Sequence, residues 1–161
     1  MKRGKKGIAW SILFWCFVAV FSVAFIGSIL TSQGLKDGWY ASIKPAITPP
    51  NWVFPIVWTF LFVLITISLY ISLVSIKNKK ITLKIYYLFG INLFLNVLWT
   101  FFYFCLRKPA LAYFDLILLM ISIAILISFT WRINKKSAWL LIPYLLWVGF
   151  AGILNYLSAF A

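Results

Sequence analysis

Residues 53–76 read VFPIVWTFLFVLITISLYISLVSI, an unbroken apolar run without a charged side chain. At 1.5 Å per helical residue it spans about 36 Å, enough to cross a hydrocarbon core of about 30 Å. Barrel strands are about ten residues long and alternate in polarity, so the run reads as a membrane-spanning α-helix. Four further long apolar runs occupy 8–30, 85–106, 109–131 and 137–160, and Asp115 is their one charged residue. The expected fold is therefore all-α: an integral membrane bundle of five transmembrane helices, forming a single domain over 1–161. The links at 77–84, 107–108 and 132–136 read as turns, and only 31–52 is long enough to have a shape of its own.

Composition agrees with that reading. Hydrophobic residues make up 65% of the chain and charged residues 11%, a balance foreign to a water-soluble domain. The net charge of +13 would suit a nucleic-acid partner only if the cations shared one face of a soluble fold. Instead they cluster between apolar runs, where they anchor at lipid headgroups, and no nucleic-acid role is expected. The chain has no His, which removes the commonest zinc and haem ligand and the commonest general base, so no metal site is expected. Cys16 and Cys105 fall at different depths, too far apart for a disulfide.

The cations also set the expected topology. The tail (Lys2, Arg3, Lys5, Lys6), the second loop (Lys77, Lys79, Lys80, Lys84) and the fourth loop (Arg132, Lys135, Lys136) outnumber Lys36, Lys44, Arg107 and Lys108 on the other side. The positive-inside rule then places the N-terminus in the cytoplasm and the C-terminus outside.

Polar side chains inside a bilayer need partners, so the few present are informative. Asn92, Asn96, Trp99 and Tyr103 on the third span are spaced by four, three and four residues and share one helical face. Tyr144, Trp147, Ala151, Asn155 and Ser158 form a similar stripe on the fifth. The second span adds Trp58 and Phe62, and the fourth carries Asp115, the only acidic residue within a span. Taken singly, such residues serve as glue between helices. Taken together, Trp58, Asn96, Trp99, Tyr103, Asp115, Ala151 and Asn155 fall in the outer half of the bilayer, with Trp147 near the midplane, and that is the half that segment 31–52 would cover. In that segment Trp39 and Tyr40 precede Lys44-Pro45-Ala46-Ile47-Thr48-Pro49-Pro50, whose prolines forbid a regular helix. It reads as a compact lid that includes Trp39, Pro45, Pro49 and Pro50, with Asn51 as a helix N-cap. Aromatic walls with a few amides suit a large, flat, mostly apolar ligand.

The same residues resemble the translocator protein (TspO/MBR) family. Trp39-Tyr40, Lys44-Pro45 and Thr48-Pro49-Pro50 are similar to the family's W-Y-x-x-L-x-K-P-x-W-T-P-P segment. Asn92-Leu93-Phe94-Leu95-Asn96-Val97-Leu98-Trp99 resembles Q-L-x-x-N-x-x-W, and Ala112 to Asp115 resembles A-x-x-D. Pro143-Tyr144 through Trp147, Phe150-Ala151 and Leu154-Asn155 resembles P-Y-x-x-W-x-x-F-A-x-x-L-N. The motifs occur in the family's order. The resemblance implies a five-helix bundle, a homodimer, and a pocket lined by Tyr40, Trp58, Phe62, Asn96, Trp99, Tyr103, Trp147 and Ala151; the polar stripes read above add Asn92, Asp115 and Asn155 as further site residues. It implies binding of porphyrins such as protoporphyrin IX and haem, and of sterols in animal members.

Three departures stand out. Ile47 replaces the Trp implicated in light-dependent porphyrin breakdown by bacterial members, Asn92 stands for the usual Gln, and no basic residue follows Tyr156 as the proposed sterol pattern asks. The function expected is a membrane-embedded receptor or carrier of tetrapyrroles and similar planar hydrophobic ligands, in porphyrin handling or stress signalling, with no required cofactor and no catalytic residue. The alternatives are a light- and oxygen-dependent porphyrin-degrading enzyme, with Trp99 or Trp147 as electron donors, and a small transporter using Asp115. For Asp115 the expected partner is a neighbouring helix, Arg107 or Lys108. Ala24 and Ser28 on the first span form a small-xxx-small pair of the kind that supports dimers.

Overall fold

The computed structural model describes residues 8–161; the basic cluster Lys2, Arg3, Lys5 and Lys6 lies outside the described residues. The chain runs as α1 (Trp10–Gly34), α2 (Trp39–Ile43), α3 (Val53–Ser75), α4 (Lys79–Thr100, continued by a wider turn, Phe101–Cys105), α5 (Pro109–Ile133) and α6 (Lys135–Phe160). All but α2 are long and apolar enough to cross a membrane.

Helix ends follow the chemistry of their caps. The Asn78 side chain accepts hydrogen bonds from the backbone of Lys80 (2.9 Å) and Ile81 (3.4 Å), so α4 starts at Lys79 rather than where the uncharged run begins, at Ile85. The lysines of its first turns reach water on long stems while the backbone stays helical. Asn134 caps α6 in the same way through Lys136 N, at 3.0 Å. Pro109 opens α5 at a position where no backbone N–H is needed. By contrast Asn51 does not cap α3, whose flanking residue is Trp52 without a side-chain bond.

The five long helices close into a ring in the order α1, α3, α6, α5, α4 and back to α1, with α5 against α6 the most extensive contact. Gly152 permits that approach, since a Cβ there would lie 3.1 Å from Leu116 Cδ2. The half of the ring away from α2 is packed solid by residues such as Ile65, Ile85, Phe89, Ile123, Leu126 and Leu141. Ser68 and Ser72 of α3 are buried there too and hydrogen-bond to Ser137 of α6 at 2.8 and 2.7 Å, so the polar atoms between these helices are paired within the protein. The other half is open inside and roofed by the segment between α1 and α3.

At the end of α4 the backbone inserts an extra residue into the helical turn. Leu106 N bonds to Phe101 O rather than to a carbonyl one turn back, at 3.0 Å, which turns both Tyr103 and Phe104 inward, where both are buried. Arg107 then takes a left-handed conformation, φ 54°, an unfavourable choice for a residue with a Cβ. It reverses the chain into α5.

Candidate functional site

Helix α1 gives the cavity its small side. Ala24, Gly27, Ser28 and Thr31 line it at helical spacing. Facing them stand the aromatics, Phe54, Trp58 and Phe62 of α3 and Trp99, Tyr103 and Phe104 of α4. Ala151, Leu154 and Asn155 of α6 complete the far wall, and Leu35, Tyr40 and Asn51 close the top. The cavity volume is about 430 Å³, within the range of small-molecule sites. None of the lining side chains carries a charge.

Of the residues singled out in the sequence, Tyr40, Trp58, Phe62, Trp99, Tyr103, Ala151 and Asn155 meet at this cavity. Asn92, Asn96, Asp115 and Trp147 lie behind its walls. Asn96 donates to the Tyr144 hydroxyl at 3.2 Å, and that fully buried tyrosine meets the Trp58 ring edge-on at 6.2 Å. Asn92 donates to Ser122 Oγ at 2.8 Å, which ties α4 to α5. Trp147 packs edge-on against Phe54 at 5.8 Å and beside Phe150. Asp115 is buried, and its Oδ2 has no hydrogen-bond partner. The partner expected for it from the α4–α5 turn is engaged elsewhere, because Arg107 pairs with Asp37.

The aromatic wall is held by its polar edges. Trp99 Nε1 donates to Asn155 Oδ1 at 3.0 Å, while Asn155 Nδ2 donates to the Pro109 carbonyl at 2.8 Å. One amide thus locks α4, α5 and α6 together. The Tyr103 hydroxyl donates to Ser158 Oγ at 3.0 Å, and its ring stacks on Trp99 at 5.5 Å. With their N–H and O–H groups satisfied within the protein, these rings present π-faces and edges to the cavity, the surface that stacks on a flat apolar molecule.

Over this wall sits the lid. Trp39 of α2 meets Tyr103 edge-on at 5.8 Å, and Tyr40 meets Tyr103 and Phe104 at 6.3 and 5.7 Å. Burial and the nearby Tyr103 push the Tyr40 hydroxyl up to about 12, so it stays neutral. Pro45, Pro49 and Pro50 lie outside the cavity wall and shape the descent to α3. The Pro45 carbonyl accepts from Thr48 N at 3.0 Å and the Pro50 carbonyl from Val53 N at 2.9 Å, two consecutive tight turns.

The α1 contribution was absent from the sequence reading. Its signal was available, since Ala24, Gly27, Ser28 and Thr31 are spaced by three, one and three residues. Small side chains announce themselves less than tryptophans do.

Comparison with known proteins adds four findings. The profile described as TspO/MBR family matches residues 15–160. The tryptophan-rich protein TspO of Archaeoglobus fulgidus is 38% identical over 86% of this chain and 89% of its own length. The tryptophan-rich sensory protein of Cereibacter sphaeroides is 29% identical over 88% and 89%, and the translocator protein of Ovis aries 33% identical over 82% and 79%.

Proposed function

The chain belongs to the TspO/MBR family of integral membrane proteins, and from that premise we propose that it is a receptor or carrier for tetrapyrroles and similar planar hydrophobic molecules, acting in porphyrin handling or stress signalling. The observation that supports this most is the uncharged aromatic cavity under the lid. A flat macrocycle gains stacking area against Trp58, Trp99 and Tyr103, while polar substituents point up toward the lid, where Lys36 and Lys44 are exposed. Hydroxyls of Tyr40, Ser28 and Thr31 supply the few orienting contacts such a pocket needs. The name of the Cereibacter relative accords with a sensing role.

In this reading the lid end faces outside and the lysine-rich end the cytoplasm, following the distribution of cations. The protein works as a homodimer through the lipid-facing side of α4, where Leu83, Tyr87 and Phe94 are exposed and space opens around Gly90.

The test is a titration of purified protein with protoporphyrin IX, read by intrinsic Trp fluorescence. Saturable quenching beyond the inner-filter correction is expected, weakened at least tenfold in Trp99→Ala and left unchanged in Trp139→Phe, which alters a tryptophan far from the cavity. Quenching that is linear in porphyrin, or equal in both variants, would sink the proposal.

A further inference from the structure

A second concave site lies on the outside of α5, away from the aromatic cavity. Ile121, Ala124, Ile125, Ser128, Phe129 and Arg132 line a shallow, largely open groove along one helix. These positions recur every three or four residues and so share one face. That face is opposite the one that buries Leu119, Ile123, Leu126 and Thr130 in the bundle. The groove therefore faces lipid.

Its walls and its end differ in chemistry. The Ser128 hydroxyl is turned back onto the Ala124 carbonyl at 2.9 Å, which leaves a shallow floor of small side chains between Ile121, Ile125 and Phe129. From Ile121 to Arg132 the helix rises about 16 Å, close to the depth of one leaflet. Arg132 closes the groove at the membrane surface, and Trp131 and Trp139 lie beside each other at 5.8 Å with the Lys135 ammonium over the Trp131 ring. Tryptophans of this kind mark the headgroup level. This end of the bundle also carries Lys77, Lys79, Lys80, Lys84 and Lys136 and no acidic residue, since the chain's two acids are Asp37 and Asp115, toward the lid. Among the described residues the one ion pair is that of Arg107 with Asp37, so the Arg132 guanidinium is not neutralised by a carboxylate of the chain.

We propose that this groove is a binding site for one anionic glycerophospholipid, with an acyl chain along Ile121, Ile125 and Phe129 and the phosphate on Arg132. A guanidinium matches phosphate oxygens with paired N–H donors. Because no carboxylate of the chain offsets it, the Arg132 charge also selects an anionic over a zwitterionic headgroup.

Native mass spectrometry of the full chain, released from micelles containing equal phosphatidylglycerol and phosphatidylcholine of identical acyl chains, tests this. Retention of phosphatidylglycerol should exceed that of phosphatidylcholine by about five-fold, the factor one basic side chain contributes near an anionic surface. Arg132→Gln should bring the ratio close to one, whereas Lys80→Gln, at the same end but outside the groove, should leave it in place. Ser128→Phe should fill the groove and lower retention of both lipids, and Ala124→Leu serves the same purpose if the phenylalanine variant fails to fold. Equal retention by the wild type, equal loss in Lys80→Gln and Arg132→Gln, or undiminished retention in a well-folded groove-filling variant would each overturn the site.

Discussion

The Asp37 carboxylate pairs with the Arg107 guanidinium, joining the chain just after α1 to the turn between α4 and α5. The same guanidinium lies 5.7 Å from the centre of the Trp39 ring, and Asp37 also accepts from the Trp39 backbone N–H at 3.3 Å. Three groups from two connections thus fasten the start of α2 above the aromatic wall. Both charged side chains remain nearly half exposed, at 46% and 42%, so this is a latch that water and salt can reach.

Breaking the latch should loosen the lid without unfolding the bundle. Asp37→Asn keeps an acceptor for Trp39 N and loses the charge. It should speed hydrogen exchange of amides 38–43 and porphyrin release by about two- to five-fold, the scale of an exposed pair. High salt should erase the difference from wild type. The hydrogen bond from Arg107 holds the Asp37 carboxyl below the ordinary carboxylate range. The latch is therefore intact at neutral and mildly acidic pH and is lost only as pH falls through that lowered value, where wild-type exchange should converge on the variant. Identical exchange in wild type and variant at low salt and neutral pH would remove the latch from consideration.

The lid has a second anchor in Gly34. A Cβ at this position would lie 2.8 Å from Phe104 Cβ and Cδ1 and 2.9 Å from the Phe104 carbonyl oxygen. Gly34→Ala should lower stability by about 1–3 kcal/mol, the range for overpacking, measured by thermal unfolding in detergent. Because backbone as well as side chain is in the way, Phe104→Ala in the same chain should restore only part of the loss. Full tolerance of Gly34→Ala would mean that α1 and α4 approach less closely.

The spans were legible because the bilayer leaves a chain few ways to satisfy its backbone, and each way leaves a long apolar run in the sequence. Their ends were less so, since Lys79, Lys80 and Lys84 are helical while charged, and since α1 continues through Thr31, Ser32 and Gln33 to Gly34. No pattern announced the wide turn at Phe101–Cys105, which brings Tyr103 and Phe104 to the same side although they are adjacent in sequence. For the site, spacing correctly put Asn92, Asn96, Trp99 and Tyr103 on one face of α4. It could not say that the face passes from helix interior to open cavity between Asn96 and Trp99, because that depends on what the other helices place opposite. Ser122 and Tyr144 meet the lower amides, whereas small residues of α1 leave room above.

The amide of Asn155 carries more of the wall than any other single group, so its removal is the sharpest test of how the wall is held. Asn155→Ala would leave Trp99 Nε1 without an acceptor and the Pro109 carbonyl without its donor. Loss of stability by about 1–3 kcal/mol is expected, since two polar groups go unpaired. Asn155→Asp keeps an acceptor for the indole while losing the donor to Pro109, and it buries a carboxyl, so it should not rescue. Trp99→Phe removes the group that needs Asn155, and the double variant Trp99→Phe/Asn155→Ala should lose less than the sum of the two singles. Strict additivity in unfolding measurements would show that the two side chains act independently.

Iron should add nothing to porphyrin binding. The cavity wall offers aromatic rings, aliphatic groups, hydroxyls and the amides of Asn51 and Asn155, with no His, Cys or Met among its lining residues, the side chains that most often hold haem iron from a protein. Tyr40 is the lining oxygen donor of a kind that ligates haem iron, as phenolate, and because burial pushes its hydroxyl up to about 12, giving up that proton to ferric iron costs more than for a free tyrosine. Haem and protoporphyrin IX should therefore bind within about a factor of three of each other, an energy difference near thermal. The absorption spectrum of bound ferric haem should be the same in wild type and Tyr40→Phe, because no bond to that oxygen exists to be lost. Haem binding more than tenfold tighter than the metal-free ring, or a spectrum that changes in Tyr40→Phe, would mean that a side chain reaches the iron and that the cavity rearranges around its ligand.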